Sequence, residues 1–192
     1  MVRGYETEAE QGDMNFVETA LRGAFLIDPV LFEDERGYFA TSFCRREFEA
    51  HGLTPNLAQI NISYNKKKGT LRGMHFQKTP HPQAKLVRCT IGAVYDVILD
   101  LRPGSPTFMK WTAATLTSQN RRMLYVPDGF AHGFQTVEDC TEVVYNVSDF
   151  YAPELADGVR WDDPAFGIQW PAIEERIMIA RDLQYPDFHP PT

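Results

Sequence analysis

A chain of 192 residues, 43% hydrophobic and 23% charged, has apolar surface for one substantial core and too little length for two. Its net charge of −7 excludes a protein that works by gripping nucleic-acid backbone, because neutralising phosphates needs a surplus of Lys and Arg on one face. Any anionic ligand has to be met by a local cluster of cations.

Residues 1–15 are rich in Glu and Gly and lack the apolar run of roughly 7–15 residues that a signal peptide needs. They read as a flexible N-terminal tail, neither leader nor membrane span, with residues 16–192 forming a single domain. The alternation of apolar positions predicts strands at 24–32, 38–43, 58–63, 70–77, 84–90, 93–100, 110–116, 122–126, 133–137 and 141–147, punctuated by Gly, Pro, Asn and Asp. Only 45–51 reads as an internal helix, closed by Gly52 in the C′ position. Lys66-Lys67-Lys68, just before Gly69, reads as a solvated hairpin tip.

Many short strands with Gly-rich turns predict an all-β sandwich or jelly-roll barrel, not alternating βα units. Along 93–100, a period of two sets Tyr95, Val97 and Leu99 on one face and Val94, Asp96, Ile98 and Asp100 on the other. Neither face is polar throughout, so this strand is expected to be covered on both sides. The cysteines Cys44, Cys89 and Cys140 are odd in number and have no CxxC spacing, which points to a reducing, cytoplasmic compartment.

Charge inside strand-like sequence marks the chemistry. In Arg72-Gly73-Met74-His75-Phe76-Gln77 the strand period puts Gly73, His75 and Gln77 on one face and Arg72, Met74 and Phe76 on the other, unless a bulge intervenes. A lone barrel histidine is more often a hydrogen-bonded core group than a catalyst. Here it has company in Lys85 and in Pro127-x-Gly129-x-x-His132, which resembles the second motif of the cupin jelly rolls. The first cupin motif wants HxH and a Glu, whereas this chain has His75-Phe76-Gln77. An amide is a poor ligand beside imidazole or carboxylate, so the reading is a metal-free cupin whose histidines serve acid–base work.

The resemblance extends to a family. Asp34-Glu35-Arg36-Gly37-Tyr38-Phe39, Leu71 through Gln77, Gln83-Ala84-Lys85-Leu86-Val87-Arg88-Cys89, Gly104-Ser105-Pro106-Thr107-Phe108, Val126 through Phe134 and Trp161-Asp162-Asp163-Pro164 through Trp170-Pro171 resemble, in that order, the dTDP-4-dehydrorhamnose 3,5-epimerases. Several ordered motifs of this length are more specific than one short pattern. The resemblance implies a cupin-type jelly-roll barrel with a few short helices, acting without a cofactor on a nucleotide-activated 4-keto-6-deoxyhexose. It implies His75 as base, Asp182 as its dyad partner, Tyr145 as proton donor and Lys85 beside the sugar ketone. Arg36, Arg72 and Arg181 then match cations for the diphosphate, and Gln59, Asn61, His132 and Asp157 match further substrate contacts. Tyr38 and Phe39 are candidates to stack on a base. Thr41 stands where the family has Glu, and Ile60 where it has Asp.

The resemblance also implies a homodimer whose N-terminal strand or arm, within 16–32, crosses to the neighbour, with no nucleic-acid or membrane partner. Inversion at one carbon or both is compatible with the residues. Three other readings stay open at this stage. They are a metal-dependent cupin using His75, Gln77 and His132, a non-catalytic sugar-nucleotide-binding jelly roll, and a sugar ketoisomerase.

Overall fold

The computed structural model describes residues 13–190. Its strands are β1 (Met14–Glu18), β2 (Phe25–Pro29), β3 (Phe32–Asp34), β4 (Gly37–Phe39), β5 (Gln59–Asn65), β6 (Leu71–Gln77), β7 (Lys85–Ile91), β8 (Ala93–Asp100), β9 (Trp111–Thr117), β10 (Met123–Val126), β11 (Phe130–Thr136), β12 (Thr141–Val147) and β13 (Ala156–Gly158), with helices α1 (Arg45–Ala50) and α2 (Ala180–Leu183). A six-stranded sheet in the order β1-β2-β10-β7-β12-β5 faces a five-stranded sheet in the order β13-β6-β11-β8-β9, and β3 and β4 form a separate hairpin. Every pairing within these sheets is antiparallel. The expected cupin-type jelly roll is what the chain forms.

Strand β8 shows why the sheets stack. Its Val94 and Ile98 join Val87, Leu124, Phe130 and Val143 between the sheets. Its Val97 and Leu99 point the other way, against Met74, Val159, Phe166 and Ile168. Both faces are thus covered, and each fully buried Val, Leu or Ile contributes about 1.5–3 kcal/mol. The outer layer on this side is the chain after β13, tied down where Asp163 Oδ2 accepts from the Phe188 N–H at 2.6 Å.

On the other sheet, α1 buries Phe48 against Phe16, Phe43 and Tyr125, with ring centroids 5.6, 4.8 and 5.9 Å away. The helix stops at Gly52, whose φ of +70° suits a residue without Cβ. Glu47 reaches from α1 to accept the backbone N–H groups of Asp13 and Met14. That tie starts β1 at Met14, inside the stretch expected to be tail; residues 1–12 lie outside the described residues. Edge strand β1 pairs with β2, and β2 pairs on its other side with β10 of the same chain, and the wholly exposed element nearby is the β3–β4 hairpin.

Candidate active site

Beside the apolar packing between the sheets lies a cavity of about 640 Å³, within the usual range for small-ligand sites. The six-stranded sheet sends in Gln59, Asn61, Lys85 and Tyr145, and the five-stranded sheet sends in Arg72, His75, His132 and Asp157. Arg181 and Asp182 close one side from α2.

Strict alternation would turn Arg72 and His75 to opposite faces, yet both line the cavity. A bulge resolves this. His75 is opposite His132 and Arg72 is opposite Phe134, so three steps along β6 match two along β11. Gly73 lies in the bulge at φ +144°, and a Cβ there would meet the Gly133 Cα at 2.5 Å. Two glycines passing backbone to backbone therefore put the arginine and the imidazole in one chamber.

Asp182 arrives by a different route. Leu71 N–H donates to Ile177 O and Ile177 N–H to Gly69 O, each at 2.9 Å, which lays the chain before α2 along the start of β6. The carboxylate is 1% exposed. Its Oδ1 lies 2.8 Å from His75 Nε2, and its Oδ2 accepts the Gly73 N–H at 3.3 Å. A carboxylate can only accept, so Nε2 carries the proton and Nδ1 keeps the lone pair. Burial depresses the His75 pKa, Asp182 pulls it back up, and the Lys85 and Arg181 charges depress it further; the net shift is downward. Burial pushes Asp182 up, but the His75, Gly73 and Arg181 interactions outweigh it and hold the group below the ordinary carboxylate range. The pair is thus a neutral imidazole held by an ionised acid, which is a base in its working form at neutral pH.

Lys85 Nζ donates to His75 O at 3.2 Å. Burial lowers its pKa to about 8 against the pull of Asp96, so at pH 7 it is still mostly ammonium. Tyr145 enters from the same sheet as Lys85; burial raises the pKa of its phenol, and the nearby Arg72 charge opposes that shift. A phenol with a raised pKa keeps its proton until something takes it. His132 Nε2 lies 3.0 Å from both oxygens of fully buried Asp96, making a second imidazole–carboxylate pair.

The sequence-predicted residues Gln59, Asn61, Arg72, His75, Lys85, His132, Tyr145, Asp157, Arg181 and Asp182 thus all share one chamber. Arg36 does not line it. That residue sits 89% exposed on the β3–β4 hairpin beside Asp34, with Tyr38 under the Arg121 guanidinium and Phe39 exposed on the same hairpin. Thr41 donates to Asp13, and Ile60 faces solvent. Gln77 spends its amide on the backbone: Nε2 donates to the His81 and Phe150 carbonyls, and Oε1 accepts from the Ala152 N–H. Among the described residues, no group of three or more His, Cys, Asp or Glu is placed to hold a metal.

Sequence reasoning missed Asp96, which holds His132, and Tyr151 and Tyr185, which line the chamber. The signal for Asp96 was present, since a carboxylate in a strand covered on both sides must have a partner. Tyr185, with its ring centroid 6.3 Å from His75 and its ring packed on Gly158, gave none.

A family model described as dTDP-4-dehydrorhamnose 3,5-epimerase matches residues 18–190. The chain belongs to this family. It is 42% identical over 177 residues to the dTDP-4-dehydrorhamnose 3,5-epimerase of Sinorhizobium fredii, covering 92% of this chain and 91% of that protein. Identity to the protein of the same description from Neisseria gonorrhoeae is 45% over 170 residues, 88% of this chain, which spans about half (51%) of that longer relative. The fold superposes with a TM-score of 0.83, at 38% identity, on the dTDP-6-deoxy-D-glucose-3,5-epimerase of Legionella pneumophila in complex with dTDP-4-keto-L-rhamnose, covering 88% and 89% of the two chains. Membership makes the chain a deoxysugar epimerase, an isomerase acting on a nucleotide-linked sugar.

Proposed function

We propose that this epimerase inverts the carbons flanking the ketone of a dTDP-linked 4-keto-6-deoxyhexose, with His75 as base and Tyr145 as acid. One observation carries the assignment: the imidazole and the phenol enter one cavity from opposite sheets, so a hexose between them meets a base on one face and a proton donor on the other. The C–H beside the ketone gives its proton to His75 Nδ1, and its electron pair moves into the carbonyl to make an enolate. The Lys85 ammonium stabilises that oxygen. The enolate then takes the Tyr145 proton from the opposite face, which inverts the carbon, and solvent exchange resets both groups. Asp182 holds the imidazole in its productive tautomer throughout.

Arg72 and Arg181 supply positive charge for the diphosphate, and Gln59, Asn61, His132 and Asp157 hold the remainder of the ligand. Incubation with dTDP-4-keto-6-deoxyglucose in heavy water tests the reading, with NMR assigning configuration and isotope at each ring carbon. Deuterium and inversion next to the ketone are expected. The number of carbons inverted separates a 3,5-epimerase from a single-carbon enzyme, and no deuterium at either position refutes the proposal.

We further infer a homodimer working in the cytoplasm. Phe32 and Phe39 on the hairpin, and Ile60 and Ile62 on the outer face of edge strand β5, are all more than half exposed, and a second subunit would bury them. The arm expected to cross lay within 16–32, where β1 and β2 pair within their own chain; we infer that the adjoining β3–β4 hairpin crosses in its place, carrying Arg36 toward the neighbouring subunit's cavity. Light scattering on the purified protein is expected to give twice the chain mass, falling to one chain mass for Ile62→Glu. The three cysteines are unpaired, which fits a reducing compartment.

A further inference from the structure

Asn65, the last residue of β5, is 2% exposed and spends its carboxamide on three partners. Its Nδ2 donates to Ser63 O at 3.1 Å and to Thr141 O at 3.2 Å, stitching β5 to β12. Its Oδ1 accepts from Arg72 Nε at 2.8 Å. The amide orientation follows from those partners, because two carbonyls require the NH₂ end. Arg72 thereby loses one of its donors and most of its swing, while the two Nη groups remain for the cavity.

The choice of partner matters. Arg102, Arg122 and Arg160 are each held by an aspartate, and their charge is answered inside the fold. Among the described residues no carboxylate pairs with Arg72. It is oriented by a neutral oxygen, which fixes direction without cancelling charge. Arg176 is held in the same way by Gln135 Oε1 at 2.9 Å but lies outside the cavity, so it is the place of Arg72 in the chamber, with its charge left for a ligand, that marks it for an anion.

We propose that Asn65 is a positioning residue: its carbonyl grips Arg72 by Nε so that the guanidinium presents both Nη groups, with charge intact, to the diphosphate of the nucleotide sugar. The inference rests on the function proposed above. It goes further by assigning a role to a buried amide that touches no substrate. It also predicts that truncating this amide weakens diphosphate binding only where Arg72 is present, which a purely structural role does not.

Calorimetric titration with dTDP tests it on wild type, Asn65→Ala, Asn65→Asp, Arg72→Ala and the Asn65→Ala/Arg72→Ala double variant, with thermal melting to report folding. Asn65→Ala is expected to weaken dTDP about tenfold, the value of one hydrogen bond to a charged group. Asn65→Asp is expected to weaken it at least as much, and in turnover the rise in KM exceeds the fall in kcat. In the Arg72→Ala background, Asn65→Ala is expected to add less than about twofold. Equal losses with and without Arg72, or wild-type affinity in Asn65→Asp, would overturn the proposal. Should Asn65→Ala fail to fold, Asn65→Ser, whose oxygen stops short of Arg72, takes its place in the cycle. Wild-type protein that binds no dTDP would remove the parent reading and this one together, whereas binding with an additive cycle removes only this one.

Discussion

Replacing Asp182 with Asn keeps the shape of the side chain and removes the charge that orients the base. The carboxylate is 1% exposed and makes two bonds, 2.8 Å to His75 Nε2 and 3.3 Å from the Gly73 N–H. An Asn can still accept from Gly73, so the strand contact survives. If it turns its NH₂ toward the imidazole, Nε2 becomes the acceptor and Nδ1 takes the proton, which is the wrong tautomer for a base. A hydrogen bond to a charged group contributes about 1.5–3 kcal/mol, and each 1.36 kcal/mol is a factor of ten, so orientation alone implies a loss of roughly 10–150-fold. Adding the tautomer penalty, kcat for Asp182→Asn is expected to fall by ~10³-fold. The pH profile carries the sign. Asp182 is what pulls the His75 pKa up against burial, so its removal moves the acid limb of kcat/KM to lower pH. Stopped-time NMR assays of turnover from pH 4 to 9 read both effects. A variant within threefold of wild type, or an acid limb displaced upward, would refute the dyad.

Lys85 must be protonated to stabilise an enolate, and with a pKa of about 8 its contribution is lost as the pH rises through that value. Activity is therefore expected to have a basic limb near pH 8, which Lys85→Met abolishes along with most of the rate. Gly73→Ala places a Cβ 2.5 Å from the Gly133 Cα at a φ of +144°. It is expected to cost about 3 kcal/mol or more in chemical denaturation, and to lose activity even where it folds. Asp100, pushed up by burial but pulled down by Arg102, Ser105 and Thr107, has its pKa lowered to about 2. A depressed acid stabilises the fold above its unfolded pKa of 3.8 and loses that contribution as the pH falls toward 2, about 2 kcal/mol in all. Asp100→Asn is expected to flatten the acid side of the stability curve by that amount, and an unchanged curve would contradict it.

The architecture was legible wherever period two held. The 93–100 strand and the 141–147 strand match β8 and β12 residue for residue, because both are rich in β-branched side chains that are buried on two faces. The bulge in β6 was not legible, since nothing local to Arg72-Gly73-Met74-His75 states how many residues β11 sets opposite them. β13 and α2, at three and four residues, are too short to show any period, yet α2 delivers Asp182. The resemblance found Asp182 where periodicity had no purchase. The start of β1, Met14 and Asn15, was read as tail because its anchor is Glu47, more than thirty residues away. Asn65 drew no notice because a polar residue at a strand end reads as turn chemistry. Only the distance to Arg72 reveals its work.

The account turns on two groups acting on opposite faces of one sugar, and comparing isotope exchange with inversion in the Tyr145→Phe variant tests that most directly. His75 is intact there, so deuterium from solvent is expected to keep entering beside the ketone while net inversion falls by ~10²-fold or more, the usual contribution of a positioned acid. His75→Asn is expected to lose both. Parallel loss of exchange and inversion in Tyr145→Phe, or exchange that persists in His75→Asn, would contradict the assignment of base and acid to opposite walls of the cavity.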